Sequence, residues 1–202
     1  MLLFCALFPA LLFAQGNAVA FLDKAVARLK SDAALQMNYD YTVYDDDGVV
    51  AFSDTGIMRL DKERYSLLME NMKVWCDGTT QWSYMRDIDE IYITDADSEE
   101  AQNLSPLYFM EKYRKNYSVS LDGKGEVAVV TLLSKDKDEE IDKVELYIDK
   151  ETYRLESLFV YMPAQGKIEV FLNGYVAGCS FGKEIYACPV DEFPSAEVID
   201  MR

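Results

Sequence analysis

The sequence contains no histidine and only five prolines in 202 residues. Without histidine, the chain cannot form a Ser-His-Asp or Cys-His catalytic arrangement or a histidine-ligated metal site. It also lacks the G-x-S-x-G motif of serine hydrolases and the Walker phosphate-binding loop. A catalytic pair of carboxylates is still available among the 36 acidic residues, but these cluster in loops such as Asp95–Glu100, which is typical of a solvated surface. We therefore expect a protein that is not an enzyme and that uses no cofactor and no metal.

Basic residues are also scarce. The sequence has 20 lysines and arginines but 36 acidic residues, which gives a formal net charge of -16. This charge argues against binding to nucleic acid, whose phosphates require clustered basic side chains. It also argues against electrostatic attachment to anionic lipid head groups. The 50% hydrophobic content is sufficient for a well-packed core, and the length suits one domain. We expect a single domain over residues 15–202 and a monomer.

Long apolar runs are absent except at the N-terminus. The first fourteen residues, MLLFCALFPALLFA, carry no charge, and they are too short for a membrane span, which needs about 20 apolar residues. They resemble the apolar region of a secretory signal, with cleavage after Ala14, although the usual preceding basic residues are missing. We expect residues 1–14 to be a signal peptide, and a buried N-terminal segment is the alternative.

Cysteine is infrequent, and removal of the signal peptide would leave Cys76, Cys179 and Cys188. An odd number implies at least one free thiol or an intermolecular bond. Cys179 and Cys188 flank a short turn that contains glycine, so they are candidates for a disulfide. In a simple hairpin about that turn the two would not be directly opposite, and the bonded and free states both stay open.

Alternating apolar and polar residues run through most of the chain from Met37 onward. Turn residues divide this pattern into ten or so short strands at hairpin spacing, which favours a barrel, a curved half-barrel or a sandwich. Arg64–Val74 is predicted to be one strand. Cys179–Arg202 is predicted to be a last hairpin followed by an extended end. No linker composition interrupts the series.

The clearest local prediction is the hairpin Val74–Thr94. Asp77-Gly78 lies between two alternating apolar runs, and such a pair is a strong signal for a tight turn because glycine readily adopts positive φ. Trp82 and Tyr84 then point to one face of the sheet, with Ile91 and Ile93 on the next strand.

Two segments have helical signals instead. Asn17–Ala33 has apolar residues at helical spacing and an asparagine that can cap its start, so it is predicted to pack on the sheet or to gate a cavity. Pro106–Lys115 follows Ser105, and serine before proline is a helix-start signal. This second helix would interrupt the series of strands.

Four segments resemble motifs of the outer-membrane lipoprotein carrier proteins, the LolA-like family. Val74–Tyr84 resembles the DGKT-x-W-x-Y hairpin of that family, and Glu90-Ile91 resembles the E-V strand that follows in Bacteroidetes-type members. Asn103–Met110 resembles the N-P-x-x-F-L helix entry. Phe193–Arg202 resembles the C-terminal Y-P-x-A-E-I-I-D-L-R. The order and spacing of the four motifs extend over the whole length after the predicted signal peptide.

The resemblance implies a mainly β fold: an incomplete, strongly curved antiparallel half-barrel, with the N-terminal helix and the inserted helix covering its concave side. It implies a periplasmic carrier that shelters the acyl chains of lipoproteins in an apolar cavity and moves lipoproteins from the inner to the outer membrane. The implied partners are acylated lipoproteins, an inner-membrane lipoprotein-releasing transporter, and an outer-membrane receptor or membrane acceptor. A periplasmic module that binds lipids or partners on the same scaffold, without lipoprotein transfer, is the alternative.

An acyl carrier requires a deep apolar cavity, because each CH₂ group exposed to water costs about 0.8 kcal/mol. Methionine suits such a cavity since it packs around irregular shapes, and the chain has nine methionines. The predicted lining residues are Tyr41, Met58, Leu60, Leu67, Met69, Trp82, Tyr84, Ile91, Ile93, Leu107 and Met110. A filled hydrophobic core has the same signature, so the pattern alone leaves both interpretations open.

The chain departs from the family in one turn. Many proteobacterial carriers have an Arg-Pro pair after the second strand, and that arginine helps to hold the lid shut. The corresponding region here, Leu60–Tyr65, contains no proline. Arg59, Lys62 and Arg64 are the nearby basic residues, and the sequence does not assign the role to any of them.

Overall fold

Twelve strands follow the N-terminal helix, as the alternating pattern predicts for a mainly β chain. The structure is a computed structural model that describes residues 8–31, 34–98, 100–101, 116–123, 125–136, 140–163 and 165–202, with side chains of the N-terminal helix from residue 16 to residue 30. The elements in chain order are helix α1 (Phe8–Ser31) and strands β1 (Leu35–Tyr44), β2 (Val50–Asp61), β3 (Arg64–Leu68), β4 (Met72–Cys76), β5 (Thr80–Met85), β6 (Glu90–Asp95), β7 (Tyr117–Asp122), β8 (Val127–Ser134), β9 (Lys143–Asp149), β10 (Leu155–Met162), β11 (Gly166–Ala177) and β12 (Glu197–Asp200). Two 3-10 helices, Lys183–Tyr186 and Val190–Glu192, lie between β11 and β12.

The strands form one open sheet in the order β12-β6-β5-β4-β3-β2-β1-β11-β10-β9-β8-β7. Neighbouring strands from β2 to β6 and from β11 to β7 are antiparallel, whereas β12 is parallel to β6. The mainly β class and the open sheet are thus confirmed. The predicted helix Pro106–Lys115 lies outside the described residues.

The chain divides into two compact units, described here one at a time. Unit 1 comprises residues 1–29, 42–52 and 109–171, and unit 2 comprises residues 30–41, 53–108 and 172–202.

In unit 1, helix α1 buries one stripe of small and apolar side chains. Leu22 and Ala25 are completely buried, and Ala18 and Leu29 continue the stripe at spacings of four residues. These spacings place the four residues on one side of a helix. The helix predicted for Asn17–Ala33 is therefore confirmed, although it begins earlier, at Phe8.

No helix in the described part of the chain is long and apolar enough to cross a membrane.

The β-strands of unit 1 bury alternate residues. Leu146 on β9 lies opposite Val130 on β8 and Leu158 on β10, and Val130 and Leu146 have at most 1% exposure. Strands that bury every second residue form the wall of a core on one side only. The other side carries ion pairs, such as Lys143 Nζ at 3.0 Å from Glu145 Oε1.

In unit 2, the predicted Asp77-Gly78 turn joins β4 to β5. Gly78 has a φ of 94°, a value that glycine adopts at little cost. The carboxylate of Asp77 accepts hydrogen bonds from the backbone N–H groups of Thr79 at 2.8 Å and Thr80 at 2.9 Å. The hairpin prediction is confirmed.

Two strand predictions in unit 2 need correction. Arg64–Val74 is not one strand, because the N–H of Met69 donates to the carbonyl of Met72 at 2.9 Å and closes a turn between β3 and β4. The end of the chain does not form a hairpin. Instead, it forms the two 3-10 helices and then β12, whose residue Val198 lies opposite Ile91 in the parallel pairing.

Candidate functional site

One side of the sheet in unit 2 is an apolar surface, which we call the Tyr39 face. The register of the strands defines it, since paired residues share a face and residues alternate along each strand. Its members are Leu35, Met37, Tyr39, Gly56, Met58, Leu60, Tyr65, Leu67, Met72, Val74, Cys76, Gln81, Ser83, Met85, Glu90, Tyr92 and Thr94, and most of them are apolar. Leu60 and Val74 are buried, with exposures of 3% and 0%.

The Tyr39 side chain, on β1, packs closely against Gly56 on the neighbouring strand β2. A Cβ atom on Gly56 would lie 2.6 Å from the Tyr39 Cζ atom and 2.6 Å from the Leu68 carbonyl oxygen. Real Cβ atoms do not come so close to other atoms, so glycine at position 56 makes room for the tyrosine ring. The contact fixes the ring across β2.

Methionine is concentrated on the Tyr39 face. Met37, Met58, Met72 and Met85 belong to it, and Met69 extends it at the end of β3, so five of the nine methionines are here. Met58, Met72 and Met85 are each partly exposed. Unbranched, polarizable side chains that are only partly covered can rearrange around an apolar ligand.

Positive charge is absent from the same surface. The basic residues of β2, β3 and β4 are Arg59, Arg64 and Lys73, and the register places all three on the opposite side of the sheet. Strands β1, β5 and β6 contain no lysine or arginine. Within the described strands, therefore, nothing on the Tyr39 face would bind an anion by charge.

The two buried tyrosines of the Tyr39 face differ in the partners of their hydroxyl groups. The Tyr65 hydroxyl donates to Gln81 Oε1, and both residues are at least 95% buried. Tyr39 is 5% exposed, and its hydroxyl has no hydrogen-bond partner among the described residues. Burial raises the pKa of Tyr39, and the charge of Asp54 raises it further, so the Tyr39 hydroxyl stays protonated at neutral pH.

The opposite side of these strands, which we call the covered face, includes Trp75, Trp82, Tyr84, Ile91 and Ile93. The C-terminal segment (residues 179–202) packs against it. The Phe193 ring centroid is 4.3 Å from that of Tyr84 and 6.0 Å from that of Trp75.

A second contact of the C-terminal segment involves Tyr186, which is completely buried. The Arg64 guanidinium carbon lies 4.9 Å from the centroid of its ring, within the range of a cation–π contact. Burial, together with the charge of Asp61, raises the pKa of Tyr186 to about 12.

A family profile described as "Outer membrane lipoprotein carrier protein LolA" matches residues 17–162. The chain belongs to this family. No curated protein matches the sequence.

Solved structures share the fold of this LolA-family chain at low sequence identity. An uncharacterized conserved protein from Thermus thermophilus is 10% identical with a TM-score of 0.62, and the match covers 91% of this chain and 99% of that one. A DUF1329 family protein from Desulfovibrio piger is 7% identical with a TM-score of 0.51, over 88% and 98% of the two chains. A structure of the Pseudomonas aeruginosa MucA/MucB complex is 12% identical with a TM-score of 0.51, over 87% of this chain and 62% of that one.

The predicted acyl-chain lining of this LolA-family chain divides between the two faces. Met58, Leu60 and Leu67 lie together on the Tyr39 face, with Met58 directly opposite Leu67. Met69 follows at the end of β3, and Tyr41 follows Tyr39 along β1.

The other described members of that lining lie on the covered face. Trp82 is opposite Ile93 and Tyr84 is opposite Ile91, so these four residues share one face of the sheet, as predicted. Because these four side chains point away from Met58 and Leu67, the whole set cannot line one cavity on one side of the sheet. Leu107 and Met110 lie outside the described residues.

The sequence analysis missed several residues of the Tyr39 face, namely Met37, Tyr39, Met72 and Met85. The number of methionines was a usable signal, but which of them share a face depends on the register between strands. That the Tyr39 hydroxyl has no hydrogen-bond partner among the described residues could not be predicted from the sequence.

The basic residues near the family's Arg-Pro turn have defined partners. Arg59 Nε donates to Gln36 Oε1 at 2.9 Å, and Arg64 forms an ion pair with Asp61. Lys62 occupies the turn itself, with a φ of 59°. The side chains of Arg59 and Arg64 therefore lie on the covered face, against which the C-terminal segment packs.

The candidate disulfide is not formed, because Cys76, Cys179 and Cys188 are all free thiols. The segment between Cys179 and Cys188 contains a 3-10 helix rather than the hairpin that would bring the two closer. Burial raises the pKa of Cys188 to about 11. Both thiols belong to the C-terminal segment and not to the Tyr39 face.

Unit 1 contains a depression of about 490 Å³ with a different chemical character. Asp45, Asp46 and Asp142 line it together with Lys167, and Tyr161 contributes part of its wall. Within the described ranges, no three histidine, cysteine or acidic residues are arranged to hold a metal ion. An acyl chain in this depression would cover charged side chains and remove their water, which is costly, so the Tyr39 face is the better candidate for one.

Proposed function

We propose that this LolA-family protein is a periplasmic carrier that shelters the acyl chains of lipoproteins against the Tyr39 face and moves lipoproteins from the inner to the outer membrane. The observation that carries the proposal is the clustering of five methionines on the Tyr39 face, a side on which the described strands of unit 2 place no lysine or arginine. Family membership supports the same class of cargo.

The physical role of the Tyr39 face is to replace water around hydrocarbon. Ten methylene groups transferred from water contribute roughly 8 kcal/mol, from which the cost of ordering the chain must be subtracted. Met58, Met72 and Met85 are partly exposed and can adjust to the position of an acyl chain. No covalent step is required, which agrees with the absence of histidine from the sequence.

The proposal includes export and two transfer partners. Residues 1–14 act as a secretory signal that is removed, and the remaining chain works in the periplasm. It receives acylated lipoproteins from an inner-membrane lipoprotein-releasing transporter and passes them to an outer-membrane receptor or directly to the membrane. Family membership supports this route.

A second candidate function is the binding of a protein partner without lipoprotein transfer. The observation that favours it is the shared fold with MucB, which has been solved as a MucA/MucB complex. In that case the scaffold would hold a protein partner, and acyl chains would not be its cargo.

Bound acyl material distinguishes the two functions. We expect that protein purified without detergent from the periplasm of a bacterium expressing the full chain will carry acyl groups, seen as extra mass in native mass spectrometry. The reason is that a partly exposed apolar face retains the hydrocarbon it has removed from water. Protein that has been unfolded, stripped of lipid and refolded is the control, and it should lose the extra mass and regain it on exposure to acylated lipoprotein. Repeated recovery of empty protein that also takes up no acylated lipoprotein would favour the partner-binding function.

A further inference from the structure

The Tyr39 hydroxyl is an unusual feature of an apolar sheet face. Tyr39 is 95% buried, yet its hydroxyl has no hydrogen-bond partner within the described part of the chain, and Gly56 provides the space in which the end of its ring lies. Buried hydroxyls without partners are rare, because each one lowers the stability of the fold by the free energy of its lost hydration. A bound molecule that forms a hydrogen bond with the hydroxyl removes this cost. The Tyr65 hydroxyl on the same face does have a partner, Gln81.

Asp54 is the nearest acidic group on β2, but it does not satisfy this hydroxyl. One carboxylate oxygen of Asp54 accepts the N–H of Thr55 at 2.7 Å, and the other accepts the N–H of Glu70 at 3.1 Å. Its charge is close enough to raise the pKa of Tyr39. The site therefore has a neutral donor beside a fixed negative charge.

These charges define the ligand group that fits. A donor needs an acceptor, so the ligand must present an oxygen atom. A carboxylate would be repelled by Asp54, and no lysine or arginine of the described strands faces it, because Arg59, Arg64 and Lys73 lie on the other side of the sheet. A carbonyl of an ester or amide accepts a hydrogen bond without carrying charge.

We propose that Tyr39 is a polar anchor that binds the ester or amide carbonyl of an acyl chain lying on the Tyr39 face, and that the face thereby selects acyl esters and amides over free fatty acids. This inference rests on the proposed function, since it assigns a role within the same acyl site. Met58, two residues from Gly56 on the same face, is partly exposed, and its rotation gives the ligand access to the hydroxyl.

The test compares two fluorescent probes that differ only in the acyl head: 11-(dansylamino)undecanoic acid and its methyl ester, both titrated at pH 8. We expect the wild-type chain to bind the ester at least about ten-fold more tightly than the acid. Tyr39→Phe should weaken ester binding roughly three- to ten-fold, as expected for one lost hydrogen bond, and leave acid binding unchanged. Asp54→Asn should bind the acid more tightly than the wild type does, because a repulsive charge is removed. Its affinity for the ester should stay within about two-fold of the wild-type value.

Tyr65→Phe is the matched control, because it removes a hydroxyl from the same face that already has a partner in Gln81. It should lower the unfolding midpoint and keep the preference for the ester. Tyr39→Phe should unfold at a midpoint no lower than the wild type when no ligand is present, since the hydroxyl it removes has no partner among the described residues.

The outcomes separate this inference from the proposed function. Binding of neither probe by the wild type would overturn both. Binding of the acid as tightly as the ester, or an unchanged ester affinity in Tyr39→Phe, would overturn the role of Tyr39 and leave the acyl-carrying function standing.

Discussion

Leu67→Asp is expected to weaken binding of an acyl ester by about 100-fold or more. Leu67 is partly exposed at the middle of the Tyr39 face, where it lies opposite Met58 on one side and Val74 on the other. In the free protein the new carboxylate keeps some contact with water. A bound acyl chain removes that water, and covering an unpaired charge costs several kcal/mol. A loss of about 3 kcal/mol corresponds to about 100-fold in affinity.

The neighbouring residue Leu68 provides the matched control for this prediction. Leu68 is on the same strand and is also partly exposed, but the register places it on the covered face, opposite Lys73. Leu68→Asp introduces the same charge one position further along the strand. Its affinity for the ester should stay within about three-fold of the wild-type affinity. Titration with the ester probe measures both variants, and circular dichroism checks that each is folded. Equal losses in the two variants would show that the Tyr39 face does not hold the chain.

Tyr186→Ala is expected to lower the free energy of unfolding by about 3–5 kcal/mol, which is the usual cost of truncating a large buried aromatic side chain. Tyr186 is completely buried in unit 2. Its ring contacts the Arg64 guanidinium and lies with its centroid 6.4 Å from that of Phe181. Its removal opens a cavity where the C-terminal segment packs on the covered face. The unfolding midpoint should fall by roughly 10 °C in a thermal scan.

Tyr186→Phe separates packing from hydrogen bonding at this position. The Tyr186 hydroxyl has no hydrogen-bond partner in the part of the chain that the structure describes, so its removal should change the free energy of unfolding by less than about 1 kcal/mol. Urea unfolding of the two variants side by side measures the difference. A Phe variant as unstable as the Ala variant would show that the hydroxyl, and not the ring, stabilises the segment.

Local signals in the sequence predicted the hairpin about Asp77-Gly78 correctly because they depend on backbone conformation. Glycine at a position with a φ of 94° determines where the chain turns. The position of the turn then determines that Trp75 and Trp82 are opposite each other. The break between β3 and β4 was missed because its turn contains no glycine or proline, only Glu70 and Asn71.

The predicted lining residues lie on two faces of the sheet for a reason that turn signals cannot reveal. Alternation indicates a strand with one buried side, and it led to the grouping of Trp82 and Tyr84 with Met58 and Leu67. In unit 2 apolar residues lie on both sides of the strands, because Phe193 and its neighbours cover the second side. A sequence without the register between strands cannot assign each apolar run to a side.

The C-terminal segment was the least predictable part. Residues 197–200 form a strand parallel to β6, and a parallel partner distant in sequence leaves no turn signal beside it. The sequence marks Phe193 only as part of a family motif, whereas in the structure its ring packs against Trp75 and Tyr84.

The measurement that tests the central claim most directly is release of a lipoprotein from membrane vesicles. Inner-membrane vesicles carrying an acylated lipoprotein and the lipoprotein-releasing transporter are incubated with the purified chain and then removed by centrifugation. The account predicts that the lipoprotein appears in the supernatant in a one-to-one complex with the wild type and with Leu68→Asp, but not with Leu67→Asp. Lipoprotein that stays with the vesicles in the presence of the folded wild type, or equal release by all three proteins, would contradict it.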